Sequence, residues 1–122
     1  MTDVEQRLTT VLGSWAAVSI ATGVLLATRP ASRGFGRQCA AWGAVDGAIA
    51  LVGARRRRAR GATPAPRLCR VLLVNAGLDV GYLIAGGWLV RDGRWRGDGC
   101  AVIVQGAFLL GLDSSAAWAL RP

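Results

Sequence analysis

Three aspartates stand inside long, otherwise uncharged stretches of this sequence, and the chain contains no histidine. Asp46 lies in WGAVDGAIAL, Asp79 in NAGLDVGYLIAGGWL and Asp113 in QGAFLLGLDSS. Without histidine there is no histidine triad, no His-ligated zinc and no imidazole base, so proton chemistry falls to the carboxyl groups. An ionised aspartate at the centre of a bilayer helix costs roughly 2.5–3.5 kcal/mol even on a lenient insertion scale. Each must therefore face another aspartate, a polar cavity or a partner subunit. No arginine lies within these stretches, so at least one of the three acids is expected to keep its proton at pH 7. A neutral carboxylic acid donates a proton or hydrogen bond to a substrate. A titrating one exchanges a proton for a cation, as pumps do. The bland alternative is that these groups only tie helices together, at about 0.6 kcal/mol per hydrogen bond.

Helical spacing gathers further polar groups around the acids. Asn75, Asp79, Tyr82 and Gly86 fall on one stripe at i, i+4, i+7 and i+11. Trp42, Asp46 and Gly53 share a face, as do Trp15, Ser19 and Thr22. Gln105 groups with Phe108 or Leu109, and Asp113 sits about 80° round from Gln105. With these faces turned inward, the expected pocket is lined by Trp15, Trp42, Asp46, Asn75, Asp79, Tyr82, Gln105 and Asp113. Asp46, Asp79 and Asp113 are its candidate catalytic groups. Trp15, Trp42, Asn75, Tyr82 and Gln105 are candidate substrate-binding groups, the aromatic faces suited to a developing positive charge.

The elements that must position these residues are apolar helices. The chain has 122 residues, room for one domain, with 52% hydrophobic and 18% charged residues and a mean hydropathy of +0.37. The net charge is +8, and every basic residue is arginine. Such apolarity excludes a disordered nucleic-acid tail. Four runs emerge, at 11–28, 39–54, 71–90 and 99–120, against a spanning length of about 20 residues. The second is short and needs a residue or two from its flanks. The expectation is an all-α protein, an integral membrane bundle of four transmembrane helices forming a single domain over 1–122. The first run follows a flank poor in positive charge and has no clean A-x-A site, so it reads as a permanent helix rather than a signal peptide.

Arginines beside the spans set the orientation. Nine flank one side (Arg7, Arg55, Arg56, Arg57, Arg58, Arg60, Arg67, Arg70 and Arg121) and six the other. Both termini are thus expected to be cytoplasmic. The run Arg55 to Arg60 serves as a topological anchor with affinity for anionic lipid headgroups rather than for nucleic acid. It belongs to a basic connection over 55–70, within which GATPAP (61–66) breaks any helix. Gly43/Gly47 and Gly77/Gly81 form two G-x-x-x-G pairs that let helices approach. Cys39, Cys69 and Cys100 lack metal or redox spacing. A Cys39–Cys100 disulfide at the outer helix ends stands as one option, and small apolar packing as the other.

The segments NAGLDVGYLIAGGWL and QGAFLLGLDSS, with WGAVDGAIAL, resemble a group of small four-helix bacterial membrane proteins known only as a domain of unknown function. The resemblance covers most of the chain from the second span onward and implies a multi-pass protein of a bacterial cytoplasmic (inner) membrane. It supplies no activity. The residues themselves point first to an enzyme acting on a lipophilic small molecule without metal or cofactor, by epoxide opening, isomerisation or cyclisation of a terpenoid-like substrate. A proton-coupled transporter working as a homodimer is the second reading. A non-catalytic membrane scaffold is the third.

Overall fold

The structure is a computed structural model that describes residues 4–120; Arg121, counted above among the arginines of one side, lies outside them. Four helices form: α1 (Val4–Ala27), α2 (Arg33–Arg60), α3 (Ala65–Asp92) and α4 (Arg96–Ala119). A single 3-10 turn, Pro30–Ser32, joins the first two. Each helix begins before its apolar stretch, and α2 and α3 also run past its end, because the backbone ladder does not stop where hydropathy does and arginine is a good helix former. Arg57, Arg58 and Arg60 end up in the last turn of α2, where positive charge suits the helix dipole. The expected basic connection over 55–70 is therefore mostly helical. Only 61–64 remain outside, since Pro66 sits in the first turn of α3, a position that lacks no hydrogen bond by having no N–H. Gly61 and Gly93 end α2 and α3 with φ of 79° and 78°, a region glycine enters without strain.

The molecule is apolar on the outside. Leu25 and Trp88 are each 69% exposed and Val52 65%, while Asp46, Asp79, Gln105 and Ser19 are buried. Left in water, each large apolar side chain would forgo roughly 1.5–3 kcal/mol; hydrocarbon removes that penalty. Helices α1, α3 and α4 are each long and apolar enough to cross a membrane. Helix α2 has 28 residues but begins with Arg33 and Arg37 and ends in an arginine run, which dilutes its apolar character.

Packing divides the bundle into two hairpins, α1–α2 and α3–α4, joined chiefly through α2 and α4. The hairpins repeat at a constant offset of 63 residues. Gly23 and Gly36 meet backbone to backbone: a Cβ on Gly36 would lie 2.5 Å from Gly23 O. Their equivalents Gly86 and Gly99 meet in the same way, with a Cβ on Gly99 2.7 Å from both Gly86 O and Val90 N. Gly43 against Ala16 O and Ile20 has its image in Gly106 against Asp79 O and Leu83. Where α2 crosses α4, Gly34 lies on Asp98 while Gly97 lies on Phe35, the reciprocal pattern of a two-fold. Of the two G-x-x-x-G pairs, Gly43/Gly47 packs on α1, whereas Gly77 and Gly81 meet nothing within 4 Å.

A side chain at the α3–α4 crossing should part the hairpin. Gly99→Leu is expected to destabilise the protein by at least about 1–3 kcal/mol, the cost of overpacking. Gly111→Ala, in open space, should stay within about 0.5 kcal/mol. Thermal unfolding in detergent measures both.

Candidate functional site

A cavity of about 590 Å³ opens between α2 and α3, with α1 and α4 behind it. Its volume lies within the range of small-molecule sites, about 300–1,000 Å³. Asp46 and Asp79 stand at the midpoints of α2 and α3, and both line it, together with Asp113 from α4. All three are buried, with relative exposures of 2%, 3% and 8%. The Asp79 and Asp113 carboxyls are in hydrogen-bonding contact. Two carboxylates have no donor between them, so this contact exists only when the pair holds a proton. Among the described residues, Oδ2 of Asp46 and Oδ2 of Asp79 have no hydrogen-bond partner. Asp46 is close enough to Asp79 for their charges to repel when both are ionised.

Asn75 lies on the cavity wall one helical turn below Asp79 on α3, toward the α2–α3 linker. Toward the α3–α4 turn, Trp42 and Tyr82 meet edge to face, ring centroids 4.8 Å apart and planes at 67°. Six of the eight residues expected around one pocket thus share it. Trp15 and Gln105 do not. Trp15 Nε1–H donates to Gln105 Oε1 at 2.8 Å, and Gln105 Nε2–H donates to Ser19 Oγ at 3.2 Å. Trp15 also stacks on Phe108, centroids 3.9 Å apart and planes at 5°. These groups close the α1–α4 seam instead of facing a ligand. Thr22, expected inward, is exposed. Periodicity finds which residues share a helix face, but not which neighbour that face meets.

The 63-residue offset explains the difference between the two seams. Leu12, Ala50 and Leu109 form a packed apolar cluster. Their equivalents are Asn75, Asp113 and Asp46, and Ala16 corresponds to Asp79. Trp15 and Phe108, which seal the α1–α4 side, correspond to Leu78 and Val45, half-exposed on the cavity rim. One seam is filled with apolar and aromatic side chains. Its image carries the acids and stays open.

Two acids outside the apolar runs, not singled out by spacing, hold the ends together. Glu5 accepts hydrogen bonds from Thr63 N–H at 3.0 Å and Thr63 Oγ1–H at 2.5 Å, and pairs with Arg57 at 3.6 Å. It thereby ties α1 to the α2–α3 linker. Asp98 accepts from Gln38 Nε2–H at 3.1 Å and pairs with Arg37 at 3.7 Å. Its placement in the first turn of α4 suits the helix dipole. The Cys39–Cys100 disulfide is not formed: Cys39 is buried and Cys100 exposed, and all three cysteines are free. Among the described residues no three carboxylate or thiol groups are arranged to hold a metal ion.

Apolar helices long enough to cross a bilayer, wrapped around buried acids, define a small helical membrane protein with a polar interior. The chain belongs to a family of unknown function, DUF6992, whose model matches residues 11–114. No curated protein and no solved structure matches the chain.

Gln105→Ala would strand the Trp15 N–H and is expected to cost about 1–3 kcal/mol. Asp46→Asn keeps its shape and should stay within about 1 kcal/mol. Chemical denaturation in mild detergent compares the two.

Proposed function

We propose that this chain is an integral membrane enzyme using Asp46, Asp79 and Asp113 for acid and base chemistry on a lipophilic substrate. What carries the reading is the pair of unpartnered carboxylate oxygens, on Asp46 and Asp79, in a cavity rimmed by apolar side chains. A structural hydrogen-bond network would satisfy such atoms, because a buried polar group without a partner costs about 1–3 kcal/mol. In the proposed reaction the proton held between Asp79 and Asp113 passes to an alkene carbon or an epoxide oxygen. The carbocation that develops is shielded by the faces of Trp42 and Tyr82. Asp46, as carboxylate, then removes a proton from the neighbouring carbon, and a new C=C bond forms. Return of that proton from Asp46 to the Asp79–Asp113 pair restores the site with no net change of charge. Asn75 orients the substrate. Isomerisation, ring closure and epoxide opening all follow from this one arrangement of acid and base.

The same proposal places the chain four times across a bacterial inner membrane, with α2 as the fourth span and both ends cytoplasmic. Its support is the excess of arginine at the α2–α3 connection. The expected labelling is plain: a membrane-impermeant maleimide reaches Arg94→Cys in intact cells, and Ala62→Cys only after permeabilisation. The opposite pattern inverts the topology.

A second reading, proton-coupled transport by a homodimer, draws on Gly77 and Gly81, whose small-residue face is open on α3. A monomer in detergent favours the enzyme, and an obligate dimer the transporter. Turnover decides between catalysis and a purely structural role. Against a panel of lipophilic terpenoid alkenes and epoxides in liposomes, the wild type is expected to yield isomers, rings or opened epoxides. Asp79→Asn should lower that rate by about 100-fold or more while the helical content and melting temperature hold. A variant that merely fails to assemble, or a wild type inert across the panel, overturns the reading.

A further inference from the structure

The cavity has two unlike ends. Trp42 and Tyr82 close one, and Arg56 and Arg67 line the other, beside the linker that Glu5 holds. Ten residues of α2 separate Asp46 from Arg56, and twelve of α3 separate Asp79 from Arg67. At 1.5 Å per residue, the arginines lie about 15–18 Å from the acids. That places charged groups at the level of a bilayer surface and the acids near its middle. Between them the wall is largely apolar, formed by Ile49, Val52, Val71 and Leu78, with Asn75 one turn from Asp79. Arg57, one residue from Arg56, is engaged with Glu5; among the described residues neither Arg56 nor Arg67 forms an ion pair.

We infer that the cavity takes a single-chain amphiphile with a phosphate head. Arg56 and Arg67 hold the head, and the chain lies in the α2–α3 seam with its far end against Asp79 and Asp113. Two guanidinium groups, each with a planar fork of donors, match a phosphate monoester better than a neutral alcohol. The chain enters sideways from the bilayer, because this seam lacks the aromatic seal present at its image. There Trp15 stacks on Phe108; here Leu78 and Val45 stand in their places. The depth from arginine to acid suits an isoprenoid chain of farnesyl length, which would bring an alkene to the acid pair. This inference names the substrate class of the proposed enzyme, and so rests on that reading for turnover though not for binding.

The test is equilibrium binding of radiolabelled farnesyl phosphate and farnesol to the full chain in nanodiscs of neutral lipid, with inorganic phosphate as competitor. Farnesyl phosphate is expected to bind about tenfold or more tighter than farnesol. Arg56→Gln with Arg67→Gln should remove that preference, while Arg58→Gln, outside the cavity, should leave it intact. Val45→Phe with Leu78→Trp, which copies the sealed side, should weaken both ligands by about tenfold or more. Equal binding of the alcohol and the phosphate overturns the inference, as does an unchanged preference in the double glutamine variant. Displacement by inorganic phosphate at equal concentration also overturns it, by showing a free-anion site that uses no chain. Binding as expected without any conversion, in wild type and Asp79→Asn alike, leaves this inference standing and removes the enzymatic reading.

Discussion

A carboxyl group inside a bundle of apolar helices cannot face hydrocarbon, and the rest of this structure follows from that constraint. Three such groups on three different helices demand an interior large enough to receive them. Yet membrane helices gain no hydrophobic drive toward one another, since lipid tails are as apolar as leucine. Close packing must supply the attraction instead. The glycine crossings at Gly23/Gly36 and Gly86/Gly99 do so by bringing backbones together, each hairpin pinned near its turn. Pinned there, α2 and α3 are free to diverge along the seam between them, and the acids occupy the space that results.

The repeat shows how one small bundle carries both a packed interior and a cavity. Equivalent positions in the two seams hold Leu12, Ala16, Ala50 and Leu109 on one side and Asn75, Asp79, Asp113 and Asp46 on the other. The sealed side has a satisfied hydrogen-bond chain from Trp15 through Gln105 to Ser19. The open side has carboxylate oxygens without partners. Close packing and the open cluster of acids thus fall in different halves of a shared plan. A cavity that would cost stability in an isolated hairpin pair is carried by the half that packs well.

Much of this was legible in the chain, and the remainder was hidden for identifiable reasons. Uninterrupted apolar runs announce helices whatever their neighbours, and the cost of a buried aspartate forces Asp46, Asp79 and Asp113 inward. Trp15 and Gln105 share the polarity of the site residues, and only the packing partner shows that they answer each other. Glu5 and Asp98 lie at helix ends, where an acid ordinarily reads as solvated. Their hydrogen bonds join segments 58 and 60 residues apart, which no local pattern reveals. The repeat survives in the spacing of its glycines, from Gly23 to Gly86 and from Gly36 to Gly99, while the side chains that line the cavity differ at nearly every equivalent position.

That divergence bears on where a proton can reside. The Asp79–Asp113 contact requires a shared proton, and sharing is favoured where neither water nor a cation competes for the carboxylate. The cations that line the cavity, Arg56 and Arg67, are placed at its far end, and the wall between is largely aliphatic, with Asn75 set into it. Glu5, by fastening Thr63 and Arg57, fixes the linker at that same end. Arg57 is thereby held on the linker side, leaving two guanidinium groups facing the cavity. On the proposed reading, an opening toward lipid preserves the low dielectric around the acids, whereas an opening toward water at their depth would dissolve the pair into two solvated carboxylates. For that reading the polarity of the mouth and the dryness of the seam are one requirement: charge admitted at the surface can be excluded at the centre.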